Sequence, residues 1–240
     1  MPPGTGRKSY RGPPPFSLVI PAYNEEMRIP LLLSQLEGAG EGEFIFVCEG
    51  TDRTVDLVRD FARGHPELSV KCLHNGERLG KGGAIRQGFL SAQSPRVGYI
   101  DADGSTSVTQ MMILFSLLNG YDAIIGSRWV EGSILEKPQG LFRRLESRIF
   151  NGFIRLIFRL PFQDTQCGAK VFKKSAIDAI IGEISSTGFE FDVELLWRLQ
   201  RHGFRIKEHP IAWRDSSDSH VTVTDGIMML LRLIALRMGR

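Results

Sequence analysis

The sequence predicts an α/β fold: a mostly parallel sheet flanked by helices, in a single domain. Three observations carry this. Short apolar runs alternate with longer amphipathic segments between residues 16 and 125, the alternation of a helix-covered parallel sheet. The apolar run Val97–Ile100 stops abruptly at Asp101-Ala102-Asp103-Gly104, and open α/β sheets bind ligands beyond the carboxyl ends of their strands. The chain has 240 residues, 42% of them hydrophobic, and a net charge of +3, which suits one globular core.

In chain order, residues 1–15 are rich in Gly and Pro and read as a disordered leader. Phe16–Ile20 is a buried first strand stopped by Pro21. Residues 26–37 read as a helix with Pro30 near its start, and Phe44–Cys48 as a second strand. Val55, Leu57, Val58 and Phe61 give 53–63 one apolar helical face. A strand at 70–73, a helix at 83–92, a strand at 97–100, a helix at 108–118 and a strand at 123–125 follow. Past residue 130 the alternation weakens. One long amphipathic segment occupies 140–160; 167–172 and 205–213 read as strands, 175–182 and 190–202 as helices. The body is therefore expected at 16–222, its second half beginning at 129, with a C-terminal amphipathic helix at 223–240.

Composition narrows the class. Three cysteines, Cys48, Cys72 and Cys167, form no C-x-x-C pair, which points to a reducing compartment without a disulfide framework. Residues 1–15 lack an apolar signal-peptide core, and no run of about 18 apolar residues predicts a membrane span. The arginines interleave with apolar residues rather than forming a broad basic patch, so no nucleic-acid partner is expected.

Four strand or helix ends carry chemistry. Pro21-Ala22-Tyr23-Asn24-Glu25-Glu26 offers an aromatic ring and an acid where a G-x-G-x-x-G is absent. Tyr23 could cover a base and Glu25 could accept hydrogen bonds from base or ribose; equally, the acids could complement a helix dipole. Glu49-Gly50-Thr51-Asp52 ends the second strand, with an acid able to read base N–H groups and two candidate helix caps. Leu79-Gly80-Lys81-Gly82-Gly83 opens a helix, where glycines permit close approach and the helix start favours anions, although the spacing is not a Walker A. Asp101 and Asp103 suit a hard divalent cation that takes its remaining oxygens from phosphate and water, although most isolated Asp-x-Asp pairs are solvated turn residues.

The order of these motifs, followed by Gly126-Ser127-Arg128, resembles the family-2 glycosyltransferases of GT-A fold, whose sheet is Rossmann-like. Within them it is similar to the dolichyl- or polyprenyl-phosphate hexosyltransferases. Asp164–Lys170 and Phe189–Leu196 most resemble the glucosyltransferase branch, with the mannosyltransferase branch next. The resemblance covers residues 16–215 and implies a nucleotide-sugar half at 16–128 and an acceptor half at 129–222. It assigns Pro21, Ala22, Tyr23, Glu25, Glu49, Lys81, Asp101, Ala102 and Asp103 to the nucleotide sugar, and Asp101 and Asp103 to Mg²⁺ or Mn²⁺. Ser127, Arg128, Arg143 and Arg144 fall to the acceptor phosphate, with Asp103, Arg128 and Arg144 closest to the chemistry. The implied reaction is inverting transfer of a hexose, from UDP-glucose before GDP-mannose, to a lipid phosphate at the cytoplasmic face of a membrane. A separate anchoring subunit is a further implied partner. Asp164 either orients the sugar or caps a turn, the structural role being the favoured one. Two departures stand out: Cys48-Glu49-Gly50-Thr51 replaces the family's Asp-Asp-Gly-Ser, and His220 stands where relatives often have lysine.

A peripheral membrane site also follows from periodicity. At about 100° per residue, Arg144, Arg148, Arg155 and Arg159 form one helical stripe, and Phe142, Leu145, Ile149, Phe153, Leu156 and Leu160 another. A core-packing helix with a solvated basic face is the competing reading. Competing activities are a non-lipid acceptor, a nucleotidyltransferase or a silent nucleotide-sugar binder.

Overall fold

The computed structural model describes residues 12–137, 141–214 and 223–238, with backbone alone at 137, 141–147, 149–150, 223–225 and 227. Strand β1 (Ser17–Tyr23), helix α1 (Ile29–Leu36), β2 (Glu43–Glu49), α2 (Thr54–Gly64), β3 (Ser69–His74), α3 (Gly80–Ser91) and β4 (Arg96–Ile100) realise the predicted alternation. After them come α4 (Val108–Ser116), β5 (Ala123–Ser127), β6 (Ile134–Lys137), α5 (Leu141–Phe158), β7 (Ala169–Lys173), α6 (Lys174–Ile180), α7 (Phe191–Arg201), β8 (Ile206–Pro210), β9 (Ala212–Arg214) and α8 (Val223–Arg237).

One seven-stranded sheet runs β3-β2-β1-β4-β7-β5-β8. All its ladders are parallel except those of β7, which inserts antiparallel between β4 and β5. From β1 the chain winds outward to β2 and β3, then returns to β4 on the other side of β1. That reversal is the topological switch point, where a crevice opens. Alternation along β1 feeds both faces: Leu18 and Ile20 pack with Phe44, Leu32 and Phe115, while Val19 packs with Ile45, Phe89 and Phe172. A third cluster joins α5, α7 and α8 through Ile154, Phe158, Trp197, Met229 and Leu233.

The first strand runs past Pro21 to Tyr23. Its ladder to β4 ends at Val19↔Tyr99, so Pro21 has a strand neighbour on one side only and its missing N–H is not needed. The expected strand at 205–213 breaks at Ile211 into β8 and β9, and β9 pairs with the unpredicted β6 in a second small sheet. Of the leader, residues 1–11 lie outside the described residues; the Pro15 carbonyl accepts a hydrogen bond from Arg96 Nε at 2.9 Å.

Helix α5 corrects the two-faced reading. The face turned to the core carries Asn151, Ile154 and Phe158, none of them in the predicted apolar stripe. Phe153 and Leu156 are exposed at 54% and 77%, beside the exposed Arg155 and Arg159. Leu160 is buried. Among its described side chains the helix thus has three sectors rather than two (core, basic and exposed apolar); the predicted Phe142, Arg144, Leu145 and Ile149 lie outside them.

Candidate active site

A cleft of about 540 Å³ opens at the carboxyl ends of β1, β2 and β4. Pro21, Ala22, Tyr23 and Glu25 line it from the end of β1, Glu49 from β2, Lys81 from the start of α3, and Asp101, Ala102 and Asp103 from the turn after β4. The structure therefore brings all the predicted nucleotide-sugar positions together. It adds Arg28, Arg78, the loop 187–190, and Met228, Met229 and Arg232 of α8.

On one side the Arg78 guanidinium lies 4.1 Å from the centre of the Tyr23 ring. Glu49 accepts the backbone N–H of Leu79 at 3.2 Å, which ties the loop before α3 to the end of β2. Glu25 holds Arg28 in a two-pronged pair at 2.6 and 2.7 Å. Burial raises the carboxyl pKa values of Glu49 and Glu25, against the opposing charge of Arg28 in the second case. Asp52 accepts from Thr54 N–H at 3.0 Å and from Glu26 N–H at 2.9 Å, but it stands one residue before Arg53, the N-cap of α2, which makes no side-chain cap; neither Thr51 nor Asp52 takes the cap position itself.

Beneath the cleft lies a charge cluster. Lys81 Nζ sits 2.9 Å from Asp101 Oδ1 and 3.2 Å from Asp192 Oδ2. Asp192 also accepts hydrogen bonds from Lys170 and from the Tyr99 hydroxyl, and all three are buried. Burial opposes the Asp192 charge, but Lys170 and Lys81 outweigh it and bring the carboxyl down to about 2. Burial likewise opposes the Lys81 charge, and Asp101 and Asp192 hold it above the ordinary lysine range. Asp101 is pushed up, first by burial and then by Asp103 and Asp192, with Lys81 opposing. The expectation for the glycines beside Lys81 changes in one respect. The close approach they permit is to protein: a Cβ on Gly82 would lie 2.6 Å from Phe191 Cβ and 2.8 Å from the Ser186 carbonyl oxygen.

The predicted acceptor residues sit differently. Ser127 is buried at the end of β5, and neither it nor Arg128 lines the cleft. Arg128 donates to the fully buried Asp164 from its backbone N, Nε and Nη2 at 3.0, 2.7 and 2.9 Å. Burial opposes the Asp164 charge, and Arg128 more than offsets it, lowering the carboxyl pKa. The side chains of Arg143 and Arg144, and the whole of 215–220 with His220, lie outside the described residues. Nothing in the sequence singles out Lys170 or Tyr99; Asp192 reads from sequence as facing a donor sugar or as helix-surface charge, and its 1% exposure removes the second.

A mostly parallel sheet with a carboxylate pair at its switch point defines the GT-A glycosyltransferase architecture. Over 96% of this chain and 66% of the other, the structure superposes on the mannosyltransferase PcManGT from Pyrobaculum calidifontis, solved with GDP-Man and Mn²⁺, at TM-score 0.65 and 16% identity. The family model of Glycosyl transferase family 2 matches residues 17–181, and the chain belongs to that family. It is 31% identical over 221 residues to glycosyltransferase AglD of Haloferax volcanii, covering 88% of this chain and 35% of AglD. It therefore spans about a third of that relative's length. It is 30% identical over 225 residues to the dolichyl-phosphate beta-glucosyltransferase of Drosophila melanogaster, covering 86% and 69% respectively.

Two outcomes follow from the geometry. Replacing Asp192 by Asn leaves Lys81 and Lys170 without their shared anion and costs about 3–5 kcal/mol of folding stability. The pH dependence has a defined sign. A carboxyl held near 2 adds stability that is present above about pH 4 and is lost as pH falls toward 2, of order 2 kcal/mol. Urea unfolding at a series of pH values should show this loss in the wild type and a flatter profile in Asp192→Asn; equal slopes would remove Asp192 as the charge anchor. Secondly, a Cβ on Gly168 would overlap the Asp101 carboxylate. Gly168→Ala should lower glycosyl transfer by about 10²-fold through displacement of Asp101, with a small change in melting temperature. Retained activity would show that Asp101 can move without consequence.

Proposed function

We propose that this chain catalyses inverting, metal-dependent transfer of a hexose from a nucleotide sugar to the phosphate of a dolichyl or polyprenyl lipid, working peripherally at the cytoplasmic face of a membrane. UDP-glucose is the favoured donor and GDP-mannose the second. The observation that carries the reading is the single cleft holding Tyr23, Glu49, Lys81, Asp101 and Asp103 at the switch point of the sheet. The acceptor class is supported by the relative named dolichyl-phosphate beta-glucosyltransferase, and the sugar by Asp164–Lys170 and Phe189–Leu196.

The donor set fits a hard cation. Among the described residues no group of three or more His, Cys, Asp or Glu side chains could hold a metal ion alone. Two carboxylates in one cleft leave the remaining positions to phosphate oxygens and water, as Mg²⁺ and Mn²⁺ favour. Burial, and after it repulsion from Asp103 and Asp192, raises the Asp101 pKa, and a bound cation would offset both. When bound, it would supply charge neutralisation at the departing nucleoside diphosphate.

The chain's own groups account for the rest. Tyr23, with Arg78 against its ring, covers the base, Glu49 accepts base N–H groups, and Lys81 keeps Asp101 in place. The acceptor phosphate has a second pKa of about 6, by analogy with phosphorylated side chains, so its attacking oxygen is largely anionic at neutral pH. No dedicated general base is required. A phosphate oxygen forms its bond to the anomeric carbon as the bond to the donor diphosphate breaks on the opposite face, which inverts configuration. Catalysis consists of alignment and of offsetting repulsion between two anions. Ser127, Arg128 and Arg143 or Arg144 are assigned to the acceptor phosphate, with Asp164 setting the orientation of Arg128. Membrane attachment is assigned to the exposed apolar side chains Phe153 and Leu156 beside Arg148, Arg155 and Arg159, and to those of α8. No helix among the described residues is long and apolar enough to cross a membrane.

A donor screen tests the chemistry. Protein with Mg²⁺ or Mn²⁺, a short polyprenyl phosphate and labelled UDP-glucose, GDP-mannose or UDP-GlcNAc should place label in the organic phase with one donor, and chelation should abolish it. Asp103→Asn should lower transfer by about 10²-fold or more. Nucleoside diphosphate release without lipid label would overturn the acceptor. For attachment, the exposed double variant Phe153→Glu, Leu156→Glu should lose co-sedimentation with vesicles containing anionic phospholipid while keeping its melting temperature. Unchanged sedimentation would assign that face another role.

A further inference from the structure

Four cationic side chains line the cleft among the described residues: Arg28, Arg78, Lys81 and Arg232. Three are committed to the cleft's own walls. Arg28 is held by Glu25, Arg78 lies on the Tyr23 ring, and Lys81 is fixed between Asp101 and Asp192. Arg232 differs. Its guanidinium reaches Glu190 at 3.4 Å, the long limit of a hydrogen bond, and the side chain is 57% exposed, against 19% for Arg28 and 13% for Lys81; Arg78 is exposed as well, but its guanidinium lies against the Tyr23 ring.

Its place on α8 is as informative as its charge. At about 100° per residue, Arg232 falls between an exposed arc with Leu231 and Met228 and a buried arc with Met229 and Leu233. The exposed arc continues through Ile234 and Met238. One helix thus carries an outward apolar strip, then an arginine at the cleft edge, then the residues that fix the helix to the body. Met228 and Met229 line the cleft beside it. Arg232 enters on the side of loop 187–190, through Glu190, rather than beside the Tyr23 and Arg78 pair.

We propose that Arg232 binds the phosphate of the acceptor lipid where that phosphate leaves the bilayer and enters the cleft, an inference that rests on the acceptor reading above. The lipid tail stays along Met228 and Leu231, and the phosphate replaces Glu190 as the partner of the guanidinium. A planar guanidinium can grip a phosphate monoester with two parallel hydrogen bonds, so the exchange is from one long contact to a two-pronged one. The same helix then joins membrane attachment to acceptor capture.

The test uses the full chain, its best donor, and a short polyprenyl phosphate in detergent micelles. Arg232→Ala should raise KM for the lipid phosphate by about 10- to 100-fold, the size expected for losing a charged hydrogen-bond pair, with donor KM within about twofold. Arg232→Lys should recover part of the loss. Melting temperature separates this from misfolding. An unchanged KM for the lipid in Arg232→Ala overturns the proposal, as does a rise in donor KM instead, which would give the arginine to the donor diphosphate. Failure of the wild type to label any lipid phosphate is a different result: it overturns the acceptor reading, and the role of Arg232 falls with it.

Discussion

The Asp192 carboxylate is the constraint on which the cleft depends. Lys170 stands in the middle of the sheet with no exposed surface, and a buried ammonium without a partner is untenable. Asp192, at the start of α7, supplies the anion and takes Lys81 and the Tyr99 hydroxyl as well. Four elements (α3, β4, β7 and α7) are thereby pinned to one point. Formal charges in the cluster balance, with Lys81 and Lys170 against Asp101 and Asp192, so Asp103 adds a net negative charge at the cleft floor. An anionic floor repels a nucleotide diphosphate unless a cation intervenes. The electrostatics of the fold and the proposed metal requirement therefore share one cause.

The first half of the fold was legible because its signals are local. Each apolar run from Phe16 to Ile125 is short and bounded, and the acids that end β1, β2 and β4 stand next to those runs in sequence. Once a parallel sheet is assumed, its strand ends meet, and the nucleotide-sugar positions fall into one cleft without further information. Pro21 misled only about the end of β1, because whether a strand tolerates proline depends on whether a neighbour is present, and that is a tertiary fact.

The second half was less legible, for physical reasons that differ by residue. On β7, Ala169 and Val171 serve one face of the sheet, while Lys170 and Phe172 serve the other. Period-two reasoning assigns a lysine to a polar face, and nothing within the strand announces that α7 brings an aspartate to meet it. The α5 helix failed in another way. Its apolar residues exceed what one face can hold, and the stripe read from periodicity followed the outer sector and left out the inward Ile154 and Phe158. Ile154 and Phe158 pack inward while Phe153 and Leu156 stay out. The three-sector arrangement weakens the reading of α5 as a simple core helix, because its core face is complete without the exposed pair.

The two buried ion pairs beside the cleft then take different parts. Lys81 is gripped by two carboxylates and sits within the cleft lining, so it can shape the floor and orient Asp101, but releasing it to a ligand would take the cation from Asp101 and leave Asp192 to Lys170 and Tyr99. Arg128 is gripped by Asp164 alone, through three hydrogen bonds, and lies behind the lining. An acceptor phosphate assigned to Arg128 must share it with Asp164, an arrangement that fixes the direction of approach at the expense of affinity. In the proposed reading, affinity for the acceptor therefore has to come from cations less fully neutralised, at the cleft mouth and on the helices proposed to attach to a membrane. Separating an orienting arginine from capturing ones would, on the proposed function, let a lipid phosphate be recruited at the surface and aligned only when it reaches the donor.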